Sequence, residues 1–273
     1  MRLLPADSLD PDALAELFNE AYSDYVVPLR LDRAMLELTL ALTGIDLAGS
    51  RVALADDGEP GAFAFLAVRG DEGWIGGMGT APAYRRKGLG EAALRAVLDE
   101  ARRLGAASVR LEVIDRNVAA RRLYEKLGFE HERDLGVWIL DSAPPRITQA
   151  QPAALDEAQA WITANRRAPE PWQRGDETVE HMRERGHQLQ ALAVERGGET
   201  AGAAVYRSGP GPPAVLQLAA RDEAAAAQLL AAIAAHGDGL RFLNLPTGDP
   251  ATAALERLGA RAELRQHELR LRL

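Results

Sequence analysis

The chain contains no cysteine, which excludes disulfide bonds, thiolate metal sites and a cysteine nucleophile. Lysine is scarce, with Lys87 and Lys126 alone, whereas arginine, alanine and glycine are abundant, as in proteins of GC-rich bacteria. No apolar run approaches membrane-spanning length, and the first residues lack the apolar segment of a signal peptide. We therefore expect a cytoplasmic protein without a membrane partner.

An excess of basic charge is also missing. The formal net charge of -8 argues against nucleic acid as the partner. The histidines show no metal-ligand spacing; they are His131, His181, His187, His236 and His267. No metal is therefore expected.

The length suits two domains of ordinary size. The chain has 273 residues, of which 47% are hydrophobic, enough to form substantial cores. The proline-containing stretch Ala143–Arg146 is typical of a linker. We predict a first domain of residues 1–143 and a second of residues 144–273.

The first half alternates helix and strand patterns. Apolar residues at three- and four-residue intervals predict helices over Asp12–Tyr22, Asp32–Gly44, Glu91–Arg103 and Val118–Leu127. Strand patterns cover Arg2–Leu4, Arg51–Ala55, Gly61–Val68, Ile75–Thr80, Ser108–Ile114 and Val137–Leu140. The order β-α-α-β-β-β-α-β-α-β predicts an α/β fold, a mixed sheet with helices on both faces.

The second half repeats much of this order. Helices are predicted over Ala153–Asn165, Glu223–Ala235 and Ala251–Leu258. Strands are predicted over His187–Val194, Thr200–Tyr206, Ala214–Ala219, Leu240–Leu245 and Ala262–Leu271. Because Leu123–Phe129 can be aligned with Ala254–Ala260, we interpret the halves as an internal duplication. Two unrelated α/β units with similar helix endings are the alternative.

The stretch Trp74–Gly90 joins a short apolar strand to a basic, glycine-containing turn and a helix start. Backbone N–H groups at a helix start lack intrahelical partners, and the helix dipole favours negative charge there. Gly88 and Gly90 remove side chains that would keep a ligand from this backbone. The stretch predicts a phosphate site, although a solvated turn explains the motif alone equally well.

Two motifs together resemble those of the GNAT superfamily of acyl-CoA-dependent N-acyltransferases. Residues Arg85–Gly90 match its Arg/Gln-x-x-Gly-x-Gly/Ala loop, and Asn117–Phe129 match Asn-x-x-Ala-x-x-Leu-Tyr-x-x-x-Gly-Phe. The resemblance covers about residues 1–141 in element order and is faint in the second half. It implies two GNAT-like domains, each a mixed, mostly antiparallel sheet flanked by helices, with a degenerate second domain.

The resemblance implies acetyl-CoA as cosubstrate. Backbone groups on a strand that separates from its neighbour would hold the pantetheine arm, and turn amides and cationic side chains would bind the pyrophosphate. The implied residues are Met78, Thr80, Arg85, Arg86, Lys87, Gly88, Leu89, Gly90 and Asn117. Tyr124 would protonate the leaving thiolate, since a tyrosine stays protonated at neutral pH. Packing of Tyr124 on the core is the structural alternative.

The general base is missing from its usual place. Many relatives carry a carboxylate on the strand before the loop, whereas Trp74–Gly79 contains none. Glu112 on the next strand is the nearest base, although a solvent-facing or ion-paired role fits it too. Asp24 is a weaker choice, and a water chain to bulk solvent is a further alternative.

Residues between the first two helices fall where relatives line the acceptor site. They are Tyr22, Tyr25 and Val26, and structural packing explains each equally well. The second half has no room for a glycine loop before Glu223, and Leu255 takes the place of Tyr124. We expect one active site per chain, with a second domain that packs on the first, closes the acceptor cleft or mediates homodimerisation.

These observations predict an N-acyltransferase that moves an acetyl group from acetyl-CoA to a primary amine by direct attack within a ternary complex. A non-catalytic acyl-CoA-binding or sensing protein is the alternative, because the strand carboxylate is missing. A scaffold that binds no coenzyme A is a third possibility. The acceptor stays open among small amines, aminoglycosides, amino acids and peptide N-termini.

Overall fold

The computed structural model describes residues 1–25, 29–144 and 149–273, so Val26 and part of the expected linker lie outside the described residues. The chain forms two compact units, and each includes a segment from the other half of the sequence. The first unit comprises Met1–Val113, Asn117–Glu132 and Leu269–Leu273; the second comprises Ile114–Arg116 and Arg133–Glu268. The division at residue 143 stays a prediction.

The first unit contains a mixed sheet and four helices. The strands are β1 (Arg2–Pro5), β2 (Ile45–Leu54), β3 (Pro60–Arg69), β4 (Glu72–Thr80) and β5 (Ser108–Ile114). The helices are α1 (Pro11–Ala21), α2 (Arg33–Thr43), α3 (Leu89–Arg103) and α4 (Val118–Lys126). The strands are adjacent in chain order, and β4–β5 is parallel while the earlier pairs are antiparallel.

The residues of β3 alternate between two cores. Phe63 and Phe65 pack in a cluster with α1 and α2, whereas Ala64 and Leu66 pack in a cluster with α3. This two-residue period follows from the pleat, which sends successive side chains to opposite faces. The sheet is therefore covered on both faces, as the sequence predicted.

The end of the chain completes the core of the first unit. Leu269 and Leu271 are 3% and 9% exposed and lie in one apolar cluster with Tyr124 and Phe129. They belong to the last strand, whose earlier residues belong to the second unit. The cluster around α4 therefore depends on residues from the far end of the sequence.

The second unit repeats the arrangement. Its strands are β7 (Gln151–Pro152), β8 (Leu189–Arg196), β9 (Glu199–Arg207), β10 (Ala214–Ala220) and β11 (Leu240–Pro246), with all but the first residues of β6 (Glu130–Leu140) and the last residues of β12 (Arg261–Arg272). Its helices are α5 (Leu155–Asn165), α6 (Asp176–Glu184), α7 (Glu223–Ala234) and α8 (Pro250–Arg257). The order β6-β11-β10-β9-β8-β7 again contains one parallel pair, β10–β11.

The expected fold class, α/β with mixed and mostly antiparallel strand pairing flanked by helices in each unit, is confirmed. Three strands begin well before their predicted starts: β2 at Ile45, before a register shift, β4 at Glu72 and β6 at the charged residue Glu130. Helix α6 was not predicted. None of the helices within the described ranges is long and apolar enough to cross a membrane.

Candidate active site

Strand β4 leaves its neighbour partway along its length. The β3–β4 register shifts so that Gly76 is an extra residue, a bulge that bends the strand. A Cβ on Gly76 would lie 2.3 Å from the Trp74 ring and 2.6 Å from Ile45, so a side chain has no room there. In the described part of the chain, β4 pairs with β5 from Glu72 to Trp74 only. The later residues of β4 therefore lie along an opening in the sheet.

Two carbonyls of this part of β4 accept hydrogen bonds from side chains. The Tyr22 hydroxyl donates to the Met78 carbonyl at 3.1 Å, and Nε of Arg85 donates to the Thr80 carbonyl at 3.1 Å. Each carbonyl retains a second lone pair for another donor. The residues expected to hold pantetheine thus lie at the opening and already contact neighbouring side chains.

The basic turn ends at the uncapped start of α3. Gly88 precedes the helix with φ of 85°, and no side chain caps the first amides. Gly90 is close to β4, because a Cβ there would lie 2.6 Å from Thr80 Oγ1. The first N–H groups of α3 and its positive dipole end are therefore next to the opening, which suits an anion.

The three cations of the turn have different environments. The Arg85 guanidinium forms two 2.6 Å hydrogen bonds with the Asp24 carboxylate. Arg86 is exposed and makes no ion pair within residues 1–25, 29–144 and 149–273. Lys87 is also exposed, with its Nζ 5.2 Å from the centre of the Tyr84 ring. Arg86 and Lys87 can reach a phosphate without breaking a stronger contact.

Tyr124 is held in the interior by α4. Its ring is 7% exposed and meets Phe129 edge-on, with centroids 5.8 Å apart. Asn117 accepts a hydrogen bond from the Ala120 amide and so caps the helix that positions Tyr124. Burial raises the pKa of Tyr124, with smaller contributions from Tyr22 and Tyr25. The hydroxyl therefore keeps its proton at neutral pH and can donate it.

Tyr22 and Tyr25 lie close to Tyr124. The sequence had assigned the first two to the acceptor site and Tyr124 to the leaving thiolate. The rings of Tyr22 and Tyr25 meet edge-on with centroids 4.9 Å apart. Burial raises the pKa of Tyr22 and that of Tyr25, and a hydrogen bond from Asn117 partly opposes the rise at Tyr25. The residues expected to bind acceptor and cosubstrate thus share one neighbourhood of the first unit.

The two carboxylates considered as bases differ in their surroundings. Glu112 is half-buried on β5, and its Oε2 accepts a hydrogen bond from the Trp74 indole N–H at 2.9 Å. Asp24 is exposed, and hydrogen bonding to Arg85 lowers its pKa. A carboxylate stabilised in its charged form by an arginine is a weak base, which favours Glu112. The partnership with Trp74 was not predicted from the sequence.

The second unit has the same register shift and strand separation as this site, but a segment of the chain lies at the separation. The β9–β10 register shifts between Val215 and Gln217, and β10 pairs with β11 over its first two residues. Gln217 is fully buried and donates to the Arg174 carbonyl at 3.0 Å. The Arg174 guanidinium lies 4.7 Å from the centre of the Phe242 ring on β11. A segment of this unit therefore contacts both separating strands.

The start of α7 is also closed to anions. Asp222 caps the helix by accepting from the Ala225 amide at 2.9 Å, and Arg196 pairs with the same carboxylate. A carboxylate here satisfies the amides and repels a phosphate. In the first unit the equivalent position is Gly88, which has no side chain.

The helices α4 and α8 end identically, which supports the duplication. Phe129 N–H donates to the Tyr124 carbonyl at 3.1 Å, and Ala260 N–H donates to the Leu255 carbonyl at 2.9 Å. Leu255 is fully buried, so an apolar side chain replaces the phenol. The register that aligns Leu123–Phe129 with Ala254–Ala260 places Gly248 opposite Asn117, whereas the cap of α8 is the next residue, Asp249.

Two units of this kind define a tandem acetyltransferase fold. The first unit keeps the opening along β4 beside the uncapped start of α3. Residues 12–129 match the model of the acetyltransferase (GNAT) family, and residues 163–273 match that of an acetyltransferase (GNAT) domain. The chain belongs to the GNAT acetyltransferase family, with a degenerate second domain.

Similar proteins agree with this assignment. Over 76 residues the chain is 42% identical to the ribosomal protein bS18-alanine N-acetyltransferase of Escherichia coli K12, a match covering 28% of this chain and 51% of that relative. The match thus spans about half the length of this curated relative.

Two solved structures share the whole fold. A GCN5-related N-acetyltransferase from Sphaerobacter thermophilus has a TM-score of 0.72 and 19% identity, covering 98% of this chain and 93% of that one. A tandem GNAT protein from the clavulanic acid biosynthesis pathway has a TM-score of 0.67 and 13% identity, covering 99% and 98%. At these identities the likeness concerns the fold alone.

Proposed function

We propose that the first unit transfers an acetyl group from acetyl-CoA to a primary amine by direct attack within a ternary complex. The observation that carries the proposal is the uncapped start of α3 at Gly88, beside the opening along β4. A helix start without a capping side chain offers amides to a pyrophosphate, and the opened strand offers backbone groups to an amide-containing arm.

The residues present fit acetyl-CoA. The amides of Arg85–Gly90 would bind the pyrophosphate, with charge from Arg86 and Lys87, and the backbone at Met78 and Thr80 would hold pantetheine. Because Gly90 has no Cβ, α3 can lie close against Thr80 of β4. Asn117 caps α4 through its side-chain oxygen and donates one N–H to Tyr25, so its second N–H would contact the arm.

Glu112 and Tyr124 would carry the two proton transfers. As the nitrogen of the neutral amine bonds to the thioester carbon, Glu112 takes one N–H proton and the carbonyl pair moves onto oxygen. The carbonyl then re-forms, the carbon–sulfur bond breaks and Tyr124 donates its proton to the leaving thiolate. The proton held by Glu112 returns to the Tyr124 phenolate through solvent. General acid–base catalysis of this kind contributes roughly 10²–10⁴-fold to the rate. The raised pKa of Tyr124 keeps the proton in place until a thiolate forms.

The acceptor class is tested most directly with a panel. The curated relatives are named for the alanine of ribosomal protein bS18, so a peptide beginning with alanine belongs beside small amines, aminoglycosides and free amino acids. Because Asp222 caps α7 and the segment with Arg174 contacts both β10 and β11, we propose one active site per chain.

The experiment measures coenzyme A release from acetyl-CoA over this panel. Tyr124→Phe should lower kcat by roughly 10²-fold or more while acetyl-CoA still binds. Tyr206→Phe is the matched control, because Tyr206 is a buried tyrosine of the second unit. Tight binding without release on any amine would instead indicate a non-catalytic acyl-CoA-binding protein, and no binding would indicate a scaffold.

A further inference from the structure

Four of the five N–H donors of the Arg85 side chain bond to protein groups. NH1 and NH2 each donate to one Asp24 carboxylate oxygen at 2.6 Å, NH2 also donates to the Ala21 carbonyl at 3.3 Å, and Nε donates to the Thr80 carbonyl at 3.1 Å. Two parallel bonds to one carboxylate are the strongest geometry available to a guanidinium. Arg85 therefore links the end of β4 to the end of α1.

The neighbouring cations behave differently, although all three belong to one motif. Arg86 and Lys87 are exposed, and the Lys87 Nζ lies 5.2 Å from the centre of the Tyr84 ring. For Arg85 to reach a phosphate, it would have to release Asp24, whose pKa is lowered by the hydrogen bond with Arg85. The ion pair is therefore charged on both sides at neutral pH.

The partner of Arg85 lies in the segment that carries the tyrosines. Asp24 lies between Tyr22 and Tyr25 in the chain. The Tyr22 hydroxyl donates to the Met78 carbonyl, and Tyr25 is hydrogen-bonded to Asn117. Farther along the chain the backbone of Leu31 is held separately, since Asn19 exchanges two 2.8 Å hydrogen bonds with it. The Asp24 pair thus fixes what we term the tyrosine segment, Tyr22–Tyr25, against the end of β4.

We propose that Arg85 is a positioning residue of the acceptor side, acting through Asp24 on the tyrosine segment, and is not a ligand of the cosubstrate phosphates. The inference rests on the proposed function and assigns one motif residue to a different task. Arg86 and Lys87 supply the phosphate charge. Arg85 fixes the side chains against which the amine is placed.

The first test separates the two tasks by acetyl-CoA binding in calorimetry. Arg86→Gln and Lys87→Gln should each weaken binding by roughly two- to tenfold, and the effect should shrink as salt is added. Arg85→Gln and Asp24→Asn should leave the dissociation constant within about twofold. Weakening by Arg85→Gln equal to that by Arg86→Gln would overturn the assignment. Absence of binding in the wild type would refute the proposed function instead.

The second test follows the tyrosine segment by limited trypsin digestion and mass spectrometry. Arg30 is the first exposed trypsin site after the segment, and cleavage after it should accelerate several-fold in Arg85→Gln and in Asp24→Asn. Cleavage after the exposed Arg185 of the second unit is the internal control. The double variant should match each single variant, because both remove the same pair. Additive effects, or an unchanged rate, would contradict the mechanism.

Once an amine from the panel is known, the kinetics discriminate further. Asp24→Asn should raise KM for the amine and leave KM for acetyl-CoA unchanged. Arg85→Lys, which retains one charge contact, should lie between wild type and Arg85→Gln. A rise in KM for acetyl-CoA alone would return Arg85 to the phosphate site.

Discussion

The Trp74 indole N–H donates to Glu112 Oε2 at 2.9 Å, at the place where β4 and β5 begin to separate. The bond joins the acid-free stretch Trp74–Gly79 of β4 to the nearest carboxylate on the neighbouring strand. A donor of this kind stabilises the ionised form of a carboxylate and fixes its orientation. The stretch Trp74–Gly79 has no carboxylate of its own, and its Trp74 indole fixes the orientation of Glu112.

Trp74→Phe should move the acidic limb of the kcat/KM profile to higher pH. Without the indole donor the charged carboxylate is less stable, so protonation abolishes activity earlier as the pH falls. A shift of about one pH unit is expected for the loss of one hydrogen bond to a charge. The rate should be measured from pH 5 to 9 with a panel amine, alongside Glu112→Gln, which should abolish the limb.

The control is Trp138→Phe, which alters a buried tryptophan of the second unit. Its profile should coincide with that of the wild type. If Trp74→Phe changes the melting temperature but leaves the limb in place, Glu112 is not the base.

Alkaline pH should destabilise the first unit through Tyr22 and Tyr124. Burial raises the pKa of each above the ordinary value of 10.0. Below pH 10 both states keep these protons, whereas above it the unfolded chain loses them and the folded chain does not. Stability therefore falls as pH rises above about 10, by up to roughly 1.4 kcal/mol per pH unit for each tyrosine.

Urea unfolding at pH 8 and pH 11 measures this loss. The double variant Tyr22→Phe, Tyr124→Phe should lose less stability between these two pH values than the wild type. Equal losses would assign the alkaline sensitivity to other groups.

Gly88→Asp should weaken acetyl-CoA binding by roughly tenfold or more. The substitution places at α3 the kind of carboxylate that Asp222 places at α7, capping the amides and repelling phosphate. Strain at the positive φ costs about 1–3 kcal/mol of stability. Calorimetry measures binding and thermal unfolding measures strain.

Gly105→Asp is the matched control, since Gly105 follows the other end of α3 with φ of 90° and open space around it. It imposes the same strain away from the turn. Similar affinity loss in both variants would show that strain, not anion repulsion, is responsible.

Leu269→Ala should cost about 2–5 kcal/mol of unfolding free energy, because it opens a cavity in the core of the first unit. Leu243→Ala is the control, since Leu243 is 44% exposed. Urea titration followed by fluorescence gives both values. A cost below 1 kcal/mol for Leu269→Ala would mean that the end of the chain does not stabilise the unit that contains Tyr124.

Local signals made much of the fold predictable. Asp10 and Asp32 cap α1 and α2 through amides two and three residues ahead, and such spacings are visible in the sequence. The motif Asn117–Phe129 likewise identified α4 and Tyr124. Helix α6 escaped because Thr178 and Val179 are its only buried positions, so no apolar stripe marks it.

The arrangement of the site depends on distant pairs that leave no local trace. Asp24 and Arg85 lie 61 residues apart, and Trp74 and Glu112 lie 38 apart. Nothing in the spacing of these residues predicts their contacts. The sequence could therefore name the motif cations but could not distinguish Arg85 from Arg86.

The exchange of strand ends between the units has a consequence for synthesis. During synthesis Tyr124 and its helix emerge from the ribosome long before Leu269 and Leu271, which pack in the same core. The first unit can collapse early but cannot finish its core until the second has been translated. Acetyl transfer should therefore appear only in chains synthesised past Leu271, so that premature termination yields inactive products.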